Sequence, residues 1–109
     1  MIDVTIFTDS NKQYVGFKII GHAGYADSGS DIVCAAVSTL SVNTVNSIEK
    51  FTDDTIEAST DDSVGSLEMK FTSNVSKESK LLIDSMLLGI NDIMNSFSKT
   101  YIKISYKEV

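Results

Sequence analysis

The only histidine and the only cysteine of the chain, His22 and Cys34, lie twelve residues apart on either side of a glycine-rich segment. His22 follows a β-rich run, and Cys34 stands near the start of a predicted helix. Free backbone N–H groups, the helix dipole and a neighbouring imidazole all favour a thiolate at such a position. The same N–H groups can hold the oxyanion that forms when a thiolate attacks a carbonyl. The twelve-residue separation does not prove contact, but a bent loop of this composition could bring the two side chains together, so a Cys-His pair with Cys34 as nucleophile and His22 as general base is one hypothesis.

Each of these features also has a purely structural explanation, which the residues taken singly leave open. Free cysteine is among the residue types most often buried, and a histidine at a strand end can be a hydrogen-bonded polar side chain. Clustered glycines can serve only a turn. One cysteine and one histidine cannot form an internal disulfide or a Cys/His zinc site, and no nucleotide-binding glycine motif occurs, so we expect no metal and no cofactor.

The whole stretch around the two residues carries more information than either residue does. It reads Gly-His-Ala from Gly21, and Ser-Gly-Ser-Asp-Ile-Val-Cys-Ala-Ala-Val-Ser from Ser28 to Ser38. This resembles the signature of the ribosomal-processing cysteine protease family Prp, in which the first segment closes a strand and the second opens a helix. Chain length, acidic balance and element order are similar too, so the resemblance covers essentially the whole chain. Ser30 is a departure, because some relatives carry histidine there.

The resemblance implies a cytoplasmic, homodimeric protease that removes the N-terminal extension of large-subunit ribosomal protein twenty-seven. It implies that Cys34 is the nucleophile and that His22 is the general base and then the acid. It further implies that Asp31 and Ser38 are supporting polar residues and that Gly21 is a hinge. From the residues alone, Asp31 could equally be a helix N-cap, and Ser38 could bond a backbone carbonyl.

The loop between the two chemical residues has a predicted role of its own. Its glycines predict that residues 22–30 are poorly ordered without peptide and close over the bound extension. Tyr25 and Asp27 in this loop could contact substrate or could simply be solvated.

The elements that must position these residues follow from hydrophobic periodicity. Alternating or β-rich runs predict strands at residues 2–8, 14–20, 55–60, 67–71 and 101–106. Helical spacing predicts one helix from a cap at Ser30 or Asp31 to near Phe51, and a second from a cap at Ser76 through an apolar stripe that ends at Phe97. The order ββαββαβ predicts an α+β fold, a mainly antiparallel sheet with two packed helices, in a single domain over residues 1–109.

The charge balance limits the classes of partner. Fifteen acidic against nine basic residues give a net charge of −6, whereas a domain that binds nucleic acid by its own charge is normally basic. An acidic surface suits a basic polypeptide instead. We expect no membrane contact and a cytoplasmic location, because neither a long apolar run nor a signal-peptide pattern is present.

Two other function classes are compatible with the same residues. One is a noncatalytic ribosome-associated module that binds a basic ribosomal protein. The other is a thiol redox sensor, which is disfavoured because the chain has no second cysteine to resolve a sulfenic acid.

Overall fold

A computed structural model of the chain describes residues 1–27, 31–97 and 99–109. Its elements follow the predicted order and are β1 (Ile2–Thr8), β2 (Tyr14–Gly21), α1 (Ile32–Phe51), β3 (Ile56–Asp61), β4 (Ser66–Phe71), α2 (Lys77–Phe97) and β5 (Ile102–Glu108). Ser30, considered above as a helix cap, and the end of the predicted mobile loop at residues 28–30 lie outside the described residues.

The described strands form one five-stranded sheet in the order β3-β4-β2-β1-β5. Three neighbouring pairs are antiparallel, and β1 with β5 is the one parallel pair among them. The predicted α+β class, element order and mainly antiparallel sheet are therefore confirmed.

The core lies between one face of the sheet and both helices. Alternation along β1 buries Ile2, Val4 and Ile6, each at most 2% exposed, and Phe17 and Met69 of the neighbouring strands are fully buried beside them. The helices contribute apolar side chains at spacings of three and four residues, namely Val33, Val37, Val45, Ile48, Ile83, Met86, Leu87 and Ile90. Both helices thus cover the same face of the sheet, and the start of α1 is fixed by its packing.

The apolar stripe of α2 does not stay in the core to its end. It is buried through Ile90, half-buried at Ile93 and Met94, and 39% exposed at Phe97. At 21 residues, α2 is about 31 Å long, whereas a seven-residue strand such as β1 spans about 23 Å. The last turn of α2 therefore leaves the core, and its Phe97 contacts Tyr25 in the loop that precedes α1.

Among the described residues, no helix combines the length and the apolar character that crossing a bilayer requires.

Candidate active site

His22 directly follows β2 and is exposed, at a point where the backbone is crowded. Gly21 has φ +106°, which side-chain-bearing residues rarely adopt, and a Cβ there would lie 2.4 Å from the carbonyl oxygen of Met1. The N–H of Gly21 donates to the carbonyl of Gly65 in the β3–β4 turn, at 3.2 Å. The end of β2 is therefore held by its neighbours, and only glycine fits at position 21.

Cys34 is the third residue of α1 and is half-buried, in agreement with its predicted place in the first helical turn. Its Sγ accepts a hydrogen bond from the N–H of Ala23 at 3.1 Å. The residue that follows His22 thus touches the sulfur directly, which brings the two ends of the loop together.

Asp31 is the N-cap of α1 and also holds the loop. One carboxylate oxygen accepts from the N–H groups of Val33 and Cys34, both at 3.0 Å. The other accepts from the N–H groups of Tyr25 at 3.1 Å and Ala26 at 3.4 Å. Burial opposes ionisation of this carboxyl, but the four backbone donors outweigh it and lower the pKa of Asp31 below its ordinary value.

This cap corrects one expectation about the chemistry. The N–H groups of Val33 and Cys34 already donate to Asp31, so the expectation that the first amides of α1 are free for an oxyanion is wrong for these two. The Ala23 N–H in the preceding loop is instead the described amide that contacts the sulfur.

Tyr25 also fixes the loop, through its ring. It meets Phe97 of α2 and Tyr101 before β5 edge to face, with ring centroids 5.4 Å apart in both pairs. Such aromatic pairs contribute about 0.5–1.5 kcal/mol beyond the area they bury. Tyr25 is therefore partly packed rather than simply solvated, whereas Asp27 is exposed.

An open groove of about 650 Å³ runs between the first half of α1 and the β3–β4 hairpin. His22 and Cys34 both line it, together with Ala35, Ser38 and Val42 on the helix side and Thr60, Asp62, Gly65 and Leu67 on the hairpin side. Most of its exposed wall is apolar or uncharged, which suits an extended peptide.

The structure brings all five predicted site residues to this groove. Gly21, His22, Asp31, Cys34 and Ser38 all line it. Within residues 1–27, 31–97 and 99–109, no hydrogen bond joins the His22 ring to Sγ of Cys34. Both carboxylate oxygens of Asp31 are occupied by backbone N–H groups rather than by the imidazole.

The hairpin wall of the groove was not anticipated from the sequence. The run from Asp61 to Gly65 predicts a turn, but nothing in its composition indicates that the turn lies beside His22. The described residues also contain no cluster of three His, Cys, Asp or Glu side chains able to hold a metal ion.

Comparisons with known proteins show which family the chain is similar to. The model of the family described as cysteine protease Prp matches residues 1–103. The ribosomal processing cysteine protease Prp of Staphylococcus aureus is 27% identical over 107 residues, which cover 98% of this chain and all of the relative.

Two crystal structures of an essential ribosomal processing protease Prp from S. aureus have the same fold, and in both the match covers 98% of this chain and 100% of the other. The structure with a covalently linked product peptide gives a TM-score of 0.90 at 27% identity, and the structure with a substrate peptide gives 0.85 at 26%. This chain belongs to the cysteine protease Prp family, so the resemblance noted in the sequence is confirmed.

Proposed function

We propose that this chain is a ribosomal processing endopeptidase that removes the N-terminal extension of large-subunit ribosomal protein twenty-seven, with Cys34 as nucleophile and His22 as general base and then acid. The observation that carries the proposal is that His22 and Cys34 line one open groove of the size and polarity an extended peptide requires. Family membership supports it, as do the substrate and product peptides bound to the S. aureus relative.

The reaction has two steps, in which a thioester is first formed on Sγ of Cys34 and is then hydrolysed. His22 takes the thiol proton, and the thiolate attacks the carbonyl carbon of the scissile peptide bond. When that tetrahedral intermediate collapses, the C–N bond breaks, His22 gives its proton to the leaving amine, and a thioester remains on Cys34. Water then attacks the thioester with His22 as base, the C–S bond breaks, and the acid product and the thiol are restored.

The developing oxyanion needs a donor close to the sulfur. The N–H of Ala23 lies 3.1 Å from Sγ, whereas those of Val33 and Cys34 are held by Asp31. An oxyanion on a carbon bonded to Sγ lies within reach of the Ala23 N–H, which transfers from sulfur to oxygen as the bond forms. We therefore assign this donor to the loop after His22.

The remaining site residues support the pair in different ways. Asp31 fixes the loop and the start of α1 through its four backbone contacts. Ser38 lies one helical turn beyond Cys34 on the groove side, where its exposed hydroxyl can bond the peptide backbone. We assign Gly21 as the hinge at the end of the held β2 backbone: its N–H stays bonded to Gly65, and rotation about its following backbone bond lets His22 approach Cys34 when peptide binds.

Incubation with the unprocessed ribosomal protein from the same organism, read by mass spectrometry, tests the reaction. The wild-type chain should yield a shortened protein, and Cys34→Ala should yield none while still binding the precursor.

Cys34 is the only thiol, so its rate of alkylation by iodoacetamide is a second readout. That rate should exceed that of a free thiol and should fall in His22→Ala. Retention of full biological function by Cys34→Ala would instead favour a noncatalytic binding module.

The remaining expectations concern the whole chain. We propose that residues 1–109 act as a single protease domain, in the cytoplasm, and as a homodimer.

Leu81 and Leu88 support the dimer, because they lie two turns apart on one side of α2 and are 67% and 65% exposed. Sedimentation velocity should give twice the monomer mass, and Leu88→Asp should shift it to the monomer; a wild-type monomer at all concentrations would exclude the dimer.

A further inference from the structure

The β3–β4 turn makes two separate contacts with the residues that carry the histidine. The carbonyl of Gly65 accepts the N–H of Gly21 at 3.2 Å, so the turn is bonded to the backbone immediately before His22. The Cα of Gly65 faces the imidazole itself. A Cβ built there would lie 3.0 Å from Cε1 and 3.3 Å from Nε2 of His22, and 3.0 Å from the carbonyl oxygen of Gly21.

Hydrogen bonds within the β3–β4 turn restrain the backbone conformation of Gly65. The N–H groups of Val64 and Gly65 donate to the carbonyls of Asp61 and Asp62, and the Asp61 carboxylate accepts from both the N–H and the hydroxyl of Ser63. These bonds hold Gly65 at φ +61°, the left-handed conformation. Deforming the turn at Gly65 would break several of these bonds at once, so the Cα that faces the imidazole is held in place relative to the rest of the turn.

No bond from Cys34 fixes the ring from the other side. Within the described residues, no hydrogen bond joins the His22 side chain to Cys34, and Asp31 is committed to backbone N–H groups. His22 is exposed and follows a glycine of unusual φ, so its ring would otherwise have considerable freedom. Contact with Gly65 is therefore a constraint that the structure places on where the imidazole sits.

We infer that Gly65 is a positioning residue for His22: the absence of a side chain at position 65 sets how far the imidazole lies from the β3–β4 turn and hence from Sγ of Cys34. This inference rests on the proposed role of His22 as general base. Proton transfer and attack depend steeply on geometry, and a displacement of about 1 Å can cost about 100-fold in rate. A methyl group at 65 would require the ring to move by a few tenths of an ångström.

Two substitutions at position 65 distinguish the effect of crowding the His22 ring from the effect of straining the left-handed backbone. Gly65→Ala adds a Cβ at a φ that alanine disfavours, whereas Gly65→Asn adds the same Cβ in a residue that tolerates the left-handed region. We expect both to lower kcat about tenfold, with a smaller change in KM, because both crowd the ring. Val64→Ala, in the same turn but outside the groove lining, is the matched control and should retain wild-type kcat.

A spectroscopic readout makes the test independent of activity. His22 is the only histidine, so its imidazole signals in a proton–nitrogen NMR spectrum need no assignment among several rings. At fixed pH these signals should shift in Gly65→Ala and Gly65→Asn and stay in place in Val64→Ala. If Gly65→Ala does not fold, Gly65→Asn alone decides the question.

The possible results distinguish this inference from the proposed function. Unchanged imidazole signals and kcat in Gly65→Asn, alongside an inactive His22→Ala, would overturn the positioning role and leave the protease assignment intact. Full activity of His22→Ala would overturn the assignment of the base, whatever the spectra show. Shifted signals together with a reduced kcat in Gly65→Asn would support the inference.

Discussion

The carboxylate of Asp31 joins two backbone segments through different oxygens. One oxygen caps α1, where Cys34 lies, and the other holds the N–H groups of Tyr25 and Ala26 in the loop after His22. A single side chain thus sets the spacing between the elements that carry the two chemical residues. Its contribution is structural, and it acts on the site through the main chain.

Asparagine at this position should separate the two contacts. In Asp31→Asn the amide oxygen still accepts from Val33 and Cys34, but the NH₂ group cannot accept from Tyr25 and Ala26. We expect faster hydrogen exchange at the loop amides with little change in the first turn of α1. Asp31→Ala should lose both contacts and lower the free energy of unfolding by about 1–2 kcal/mol.

Exchange measured by mass spectrometry or NMR provides the check. Equal exchange of the two variants in both segments would show that the oxygens do not act separately. The same measurement on the wild type tests loop closure: substrate peptide should slow exchange across residues 22–30, and unchanged rates would count against closure.

At the scale of elements, the start of α2 depends on an acid from another part of the chain. Asp54, in the connection between α1 and β3, accepts from the N–H and hydroxyl of Ser76 at 2.9 and 2.7 Å and from the hydroxyl of Ser79 at 2.5 Å. Ser76 in turn caps α2 by accepting the N–H of Ser79 at 3.2 Å. The predicted cap at Ser76 is therefore present, but it is itself held by Asp54.

This contact gives the fold a predictable acid sensitivity. Partial burial opposes ionisation of Asp54, but the hydrogen bonds from Ser79 and Ser76 outweigh it and hold its pKa below the ordinary 3.8. A carboxyl whose pKa is lowered by folding stabilises the native state fully above its unfolded-state value. That stabilisation is lost as the pH falls through the lower folded-state pKa.

We therefore expect Asp54→Asn to be less stable than the wild type near neutral pH, with the difference shrinking as the pH falls below about 4. Urea unfolding at a series of pH values measures both quantities. Asp53→Asn is the matched control, because Asp53 is exposed and makes no hydrogen bond among the described residues. A constant difference between Asp54→Asn and wild type from neutral to acid pH would refute the linkage.

The whole molecule carries a net charge of −6, and some of its acidic residues lie at the groove. Asp62 lines the groove, and Asp61, the last residue of β3, precedes it. An acidic surface attracts a basic polypeptide over a range that salt shortens, since the screening length is about 10 Å at 0.1 M ionic strength. The proposed ribosomal precursor is a substrate of this kind.

Salt should therefore weaken recognition of the precursor without affecting the chemistry at Cys34. We expect KM for the intact precursor to rise several-fold between low and moderately high ionic strength, with a smaller change in kcat. Alkylation of Cys34 by neutral iodoacetamide is the control and should be nearly independent of salt. A KM that does not respond to salt would mean that long-range charge has no part in binding.

Several features of this protein could be predicted from its sequence because they depend on neighbours along the chain. Alternation in β1 and the helical spacing in α2 placed elements to within a few residues, since burial of one face imposes a period on the sequence. The segment from Asp31 to Ser38 indicated both the helix start and the family. Strand order was not predictable in the same way, because pairing depends on contacts between distant segments.

The sequence by itself determined which residues can do chemistry and which elements carry them, because residue type and local periodicity are properties of short segments. Only the tertiary structure decided that Gly65 lies against the His22 ring, that Tyr25 packs on Phe97, and that Asp31 holds the loop as well as the helix. These contacts join residues whose separation along the chain carries no signal of proximity. They form only when the strands pair into the sheet and both helices pack against one face of it.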